Sequence, residues 1–249
     1  MTDRLPTKLG KEPLIDALFE VRFSTPIPAS NVLPGFLFSK LPNCGDIERL
    51  SAAELPKPMR DADPNLQFAP LLKLHWNKFF ISIGDRSLVV SCKMPYPGWE
   101  EFKSAILQIV ECVMDSGIIQ TIHRFSMKYI DLVPASNTRE EISLINTSVV
   151  IGGHTLKEES FSLRIEVPQD GFSHVVQVVS SATAKLADGS VKSGIIVDID
   201  TITPVDNQEF KEWSSGLTDK LDLIHTANKK MFFECLRPET ITSLEPEYE

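Results

Sequence analysis

The chain has 249 residues, of which 42% are hydrophobic and 24% charged, and it carries a formal net charge of -9. That balance belongs to a globular chain and excludes a disordered or fibrous one, and no apolar run approaches the roughly 20 residues needed to cross a bilayer. The acidic excess disfavours duplex DNA as a partner, because phosphate neutralisation by Lys and Arg supplies most of that affinity, and it suits a protein with a basic surface.

The opening stretch MTDRLPTKLGKEP lacks the apolar centre of a secretion signal, so the expected location is the cytoplasm. In PLIDALFEVRF, Ile15, Ala17, Phe19, Val21 and Phe23 alternate with Asp16, Glu20 and Arg22, a period of two that predicts a strand with one buried face. The segment ASNVLPGFLFSKLPN predicts a short helix, with Ser30 or Asn31 as its cap and Pro34 in its first turn. The polar, proline-rich SAAELPKPMRDADP reads as an exposed loop. A meander follows, in which LQFAPLLKLHW, KFFISI and SLVVSCK are strands joined through Asn77-Lys78 and Gly84-Asp85-Arg86.

After Pro97, Phe102, Ile106, Ile109 and Val113 form an apolar stripe at helical spacing. Glu100 and Glu101 sit in the first turn, and Gly117 ends the helix. The second half repeats this order. HRFSMKYIDLV predicts a strand with Phe125, Met127 and Tyr129 on one side and Arg124, Ser126 and Lys128 on the other. NTREEISLIN predicts a short helix. FSLRIEV, HVVQVVSSATAKL and SGIIVDIDTI predict strands turned at Asp170-Gly171 and Asp188-Gly189. A long amphipathic helix is expected from Asn207 to about Leu236, with Pro238 as its stop.

The two halves align. Val21 and Met127 lie 106 positions apart, and Phe102 and Phe210 lie 108 apart, so the offsets agree within a small loop insertion. The expected fold is therefore α+β and internally duplicated. It comprises two β-α-β(4)-α units, residues 1–118 and 119–249, with a largely antiparallel sheet and helices packed on one face. The two halves are expected to form one compact unit, in the element order of the TATA-binding-protein-like fold. Fold of itself fixes no function.

Chemistry is sparse. Cys44, Cys92, Cys112 and Cys235 form no closely spaced pair and read as free thiols, with no metal or other cofactor implied. Asp198 and Asp200 alternate out of Ile195, Val197 and Ile199, and Asp131 ends the first strand of the same half. Three such carboxylates could serve a divalent cation or act as acid and base, against the simpler account of a solvated sheet face. His225 stands one position from the buried line of the last helix, where a hydrogen-bonded structural histidine is the simpler account. Arg22, Arg124, Lys128 and Arg164 are strand-borne cations that could line a binding surface, with Phe79, Phe80 and Phe161 for stacking. The alternative pairs them with Glu20, Asp198 and Glu166 across strands.

PLIDALFEVRF, RFSMKYID, VDID and LIHTANKKMFFECL together resemble a sporadically distributed family of uncharacterised bacterial and archaeal proteins. The resemblance rests on Pro13, Leu14, Ala17, Glu20, Val21, Arg22 and Phe23 at the start and on Lys128, Tyr129, Ile130 and Asp131 at mid-chain. Leu221, Ile224, His225 and Phe232 carry it in the last helix. The family has no established activity. Its patchy distribution implies horizontal transfer and a link to mobile-element or phage-defence loci. Asp131 stands where the family commonly has asparagine.

The expected function is a non-catalytic protein-interaction module whose partner is another protein, with self-association through the C-terminal helix as a further possibility. A metal-assisted enzyme using Asp131, Asp198 and Asp200, and a nucleic-acid-binding module, are the alternatives.

Overall fold

The computed structural model describes residues 5–185 and 189–248. Its strands are β1 (Lys8–Leu9), β2 (Leu14–Phe23), β3 (Cys44–Arg49), β4 (Leu72–Trp76), β5 (Phe79–Ile83), β6 (Ser87–Cys92), β7 (Thr121–Pro134), β8 (Val150–Ile151), β9 (His154–Thr155), β10 (Ser162–Gln169), β11 (Phe172–Lys185), β12 (Val191–Glu209) and β13 (Pro246–Glu247). The α-helices are α1 (Leu33–Lys40), α2 (Lys57–Ala62), α3 (Trp99–Met114), α4 (Thr138–Leu144), α5 (Phe210–Ser215), α6 (Leu217–Cys235) and α7 (Pro238–Ser243). Nine strands form a sheet in the order β10-β11-β12-β7-β2-β6-β5-β4-β3, and β1-β13 and β8-β9 are separate two-stranded pairs. The fold is α+β with a large antiparallel sheet.

By compactness the chain divides into two units, neither continuous in sequence. One comprises Met1–Ala17, Lys128–Thr201 and Ile224–Glu249, the other Leu18–Met127 and Ile202–Leu223.

In the second of these units the alternation of β2 does what it predicts. Phe19, Val21 and Phe23 are buried, and so are Leu74, Ile81 and Val90 on the strands beyond. The α3 stripe of Phe102, Ile106, Ile109 and Val113 is fully buried. Phe102 stacks on Phe79 of β5 at 6.1 Å, and Trp213 of α5 meets Phe125 of β7 edge-on at 5.5 Å. Truncating a buried aromatic such as Phe102 to Ala costs about 3–5 kcal/mol. Gly117, expected as the helix stop, takes a φ of 66° and donates its N–H to the Met114 carbonyl.

In the other unit β11 and β12 supply Val176, Val178, Ile195, Val197 and Ile199 to a core closed by Met231, Phe232 and Phe233 of α6 and by Leu236 just after it. The β10–β11 hairpin turns on Asp170 and Gly171, whose φ angles of 53° and 85° suit a tight antiparallel connection. Gly194 of β12 passes so close to β7 that a Cβ there would collide with the Val133 carbonyl and lie 2.9 Å from Pro134 Cα. The Asp188-Gly189 turn expected from the sequence rests on Asp188, which lies outside the described residues.

Four expectations need correction, and one strand was not foreseen. The first helix has no side-chain cap: its N-cap is Val32, and the Ser30 hydroxyl donates instead to Asp85 Oδ1 at 2.6 Å. The proline-rich loop contains α2, because Pro56 and Pro58 pre-set the first turn and Lys57 pairs with Asp61 one turn on. Strand β3 precedes it unannounced, since Gly45 and Asp46 are poor strand formers and the strand is an edge. The strand expected from Leu66 begins only at Leu72, beyond Pro70. The last helix does not start at Asn207: β12 continues to Glu209, Gly216 interrupts the helix after Ser215, and Pro238 opens α7 as well as stopping α6.

Candidate functional site

The four strand cations singled out in the sequence all meet the expected carboxylates. Glu20 Oε2 accepts from Arg22 Nε at 2.9 Å and from Arg124 Nη2 at 2.8 Å. Lys128 Nζ lies 2.8 Å from Asp198 Oδ2, and Arg164 Nη2 lies 3.3 Å from Glu166 Oε1. Only two of these pairs cross between strands. Arg22–Glu20 and Arg164–Glu166 join residues two apart on one strand, where side chains share a face.

Of the aromatics weighed for stacking, Phe79 is committed to Phe102 in the core and Phe161 packs against the α6 core. Phe80 is half-buried, with the Lys73 and Lys93 ammonium groups each 5.1 Å from its ring centre and His75 edge-on at 4.9 Å. His75 also lies 3.7 Å from Glu48.

The predicted carboxylates fall in the unit built around β11, β12 and α6. Asp131 is only 7% exposed. The adjacent Leu132 N–H donates to the Pro13 carbonyl at 2.8 Å, which brings Glu12 alongside. Burial pushes the Asp131 carboxyl well above the usual carboxylate range, and the Glu12 and Asp198 charges push it the same way. Burial likewise raises Glu12, against the pull of Lys8. Burial also raises Asp16, opposed by the Ala17 backbone N–H and Lys128 and reinforced by Asp198. Asp200 follows Asp198 on the same side of β12 and is half-buried. Among the described residues no group of three or more His, Cys, Asp or Glu side chains is arranged to hold a metal ion. What the carboxylates do form is a proton-holding group: Glu12, Asp16 and Asp131 all bind protons more tightly than they would in water.

His225 is hydrogen-bonded: its Nδ1 lies 3.0 Å from the Tyr129 hydroxyl. One turn further along α6, burial depresses the Lys229 ammonium. A second histidine, not singled out in the sequence, is more deeply placed. His174 Nδ1 lies 2.9 Å from Thr201 Oγ1, and Asn228 Nδ2 donates to Thr201 Oγ1 and to the Ile199 carbonyl, both at 2.9 Å. Thr201 Oγ1 thus joins the His174 ring to the Asn228 amide, and which of His174 Nδ1 and the hydroxyl donates follows the ring's tautomer. Burial lowers the His174 pKa, in accord with a neutral ring. A polar residue at every fourth or second position of a buried face was the only signal for this chain of contacts.

The other unit holds a cleft of about 300 Å³ lined by Ser30, Asn31, Arg49, Lys57, Arg60 and Asp85, with Pro28, Ala53, Leu71 and Leu72 supplying apolar walls. Its floor is a built ion pair. Arg60 Nη2 lies 2.9 Å from Asp85 Oδ2, both side chains are 11% exposed, and Arg60 also donates to the Leu55 carbonyl. Ser30 holds the second Asp85 oxygen, and the Asp85 carbonyl accepts from the Ala29 N–H at 3.0 Å. The rim cations are more loosely held. Arg49 pairs with Glu54 at 2.8 Å, at 65% and 71% exposure, and Lys57 pairs with Asp61 in the open. Such surface pairs are screened by solvent and exchange readily for another anion. Among the described residues no histidine or cysteine lines the cleft, and its Ser30 hydroxyl donates to Asp85.

The sequence placed this segment in a loop and so missed the cleft. Lys57 and Arg60, three apart with Pro56 before them and Pro58 between, were the signal available. No protein-family model matches the chain, and no curated protein is significantly similar to it.

Proposed function

We propose that the protein is a non-catalytic protein-interaction module, and that its partner inserts a carboxylate-bearing side chain or chain end into the Arg49–Lys57–Arg60 cleft. The observation that carries the reading is the contrast within the cleft: a rigid buried pair at the floor and exchangeable cations at the rim. A carboxylate entering there would trade two solvent-weakened pairs for a shielded contact, over apolar walls that favour a side chain to a hydrated ion.

The same reading includes the internal duplication. In support, the sheet reads outward from β2 as β6, β5, β4, β3 and outward from β7 as β12, β11, β10, so that each first strand lies beside its own last strand. This mirrored strand order favours a reading as two copies, residues 1–118 and 119–249, in a TATA-binding-protein-like element order. The binding of nucleic acid through the strand cations has less in its favour, since Arg22, Arg124, Lys128 and Arg164 are each engaged by a carboxylate.

The test is affinity capture from the native host with the wild type beside an Arg49→Glu/Lys57→Glu variant. The reading expects a protein retained reproducibly by the wild type and lost from the variant. Equal retention by both, or none by either, removes it.

A further inference from the structure

Strand β10 ends the nine-stranded sheet and pairs only with β11, in unbroken register from Ser162↔Val179 to Gln169↔Phe172. Its other side is a row of backbone donors and acceptors with no strand against it among the described residues. The two sheet edges are not alike. Strand β3, at the far edge, is interrupted by a register shift between Cys44 and Ile47 and carries Gly45, Asp46 and Glu48, features that discourage pairing. Strand β10 is regular over eight residues, with its one proline at Pro168, near the end.

We propose that β10 pairs antiparallel with β10 of a second copy of this chain, about a two-fold axis through Ile165. The reason is the order of its side chains, Leu163-Arg164-Ile165-Glu166-Val167. Turned antiparallel on itself about Ile165, this sequence sets Arg164 opposite Glu166 of the other copy, twice by symmetry. On the other face it sets Ile165 opposite Ile165 and Leu163 opposite Val167. Residues directly opposite in an antiparallel pair have Cβ atoms about 4.5–5.5 Å apart, within reach of ion pairing and apolar contact. An isologous interface requires this kind of self-complementarity, and any register slipped by one residue would oppose Arg164 to an aliphatic side chain.

The exposures fit. Ile165 is 44% exposed, unusual for an isoleucine on the same side of its strand as Val167, which packs against the core. Arg164 and Glu166 are 58% and 61% exposed, and their present 3.3 Å contact is a same-strand pair that a second strand would replace. The inference is independent of the proposed cleft, which lies in the other unit.

The experiment reads mass directly: sedimentation equilibrium of the wild type, Arg164→Glu, Glu166→Arg, and the double exchange Arg164→Glu/Glu166→Arg. Each single change places like charges opposite each other, and the dimer dissociation constant should rise about tenfold or more. The double exchange restores opposite charges and should return it to within about threefold of the wild type. Far-ultraviolet circular dichroism confirms that the exposed substitutions leave the fold intact. A wild type that stays monomeric at concentrations on the order of 1 mM overturns the proposal. So does a dimer indifferent to both single changes, or one that the double exchange fails to restore.

Discussion

Asp85 and Asp131 are buried to almost the same depth, at 8% and 7% exposure, and they live in opposite surroundings. Asp85 has Arg60 at 2.9 Å on one oxygen and Ser30 at 2.6 Å on the other, a carboxylate whose charge is met on both sides. The charges that act on Asp131 are Glu12 and Asp198, both of its own sign. Desolvation costs an ion several kcal/mol wherever it occurs; partners on both oxygens offset that cost at Asp85, whereas like charges add to it at Asp131 and favour its protonated form. Burial is the leading cause at Asp131 and its like-charged neighbours add to it, whereas at Asp85 an opposite charge and a hydroxyl work against it.

The comparison breaks most visibly at Asp85. Asp85→Ala leaves the Arg60 guanidinium in its buried place without a counter-charge, and about 3–5 kcal/mol of stability should be lost in urea titration. Replacing both partners, Arg60→Met with Asp85→Leu, should recover much of that loss. A smaller effect belongs to the uncharged network on the other side of the comparison. Thr201→Val removes the hydroxyl shared by His174 and Asn228, and the loss of both contacts should cost about 1–3 kcal/mol in the same titration.

At Asp131 the expected sign reverses. A carboxyl whose native pKa is raised above its unfolded value contributes its full stability below the unfolded pKa, and that contribution drains away as pH rises toward the native one. The wild type should thus lose stability as the pH climbs from about 4 through the weakly acid range, with Glu12 and Asp16 acting in the same direction. Asp131→Asn should flatten that fall and raise stability at neutral pH while leaving it unchanged near pH 3. A variant with the wild-type slope would show that Asp131 does not hold the proton.

What the sequence disclosed of all this follows from where its signals are local. The alternation in β2 and the stripe on α3 are set by one face meeting a core, and both were legible residue by residue. Strand β3 and helix α2 were not, because Gly45 and Asp46 argue against a strand and Pro56 and Pro58 against a helix unless the first turn is considered. The pairing of Arg124 with Glu20 and of Lys128 with Asp198 could be anticipated from charge alternation alone. The Arg60–Asp85 floor could not, since 25 residues and two strands separate its members and only tertiary folding brings them together.

The smallest expected effect is also the one that separates partnered from unpartnered acids most finely. Lys128 touches Asp198 at 2.8 Å, with 28% and 15% of the two side chains exposed, and it also pulls against the raised pKa of Asp16. Partly exposed pairs of this kind contribute about 0–1 kcal/mol, so Lys128→Met should change stability at neutral pH by no more than that. Its larger signature should lie in titration. Without the ammonium, Asp16 loses an opposing charge and keeps the repulsion of Asp198, so its carboxyl should titrate at higher pH than in the wild type, as followed by carboxyl carbon chemical shifts. If Asp16 instead titrates unchanged, the proton-holding group is governed by burial alone, and the charges around it are incidental.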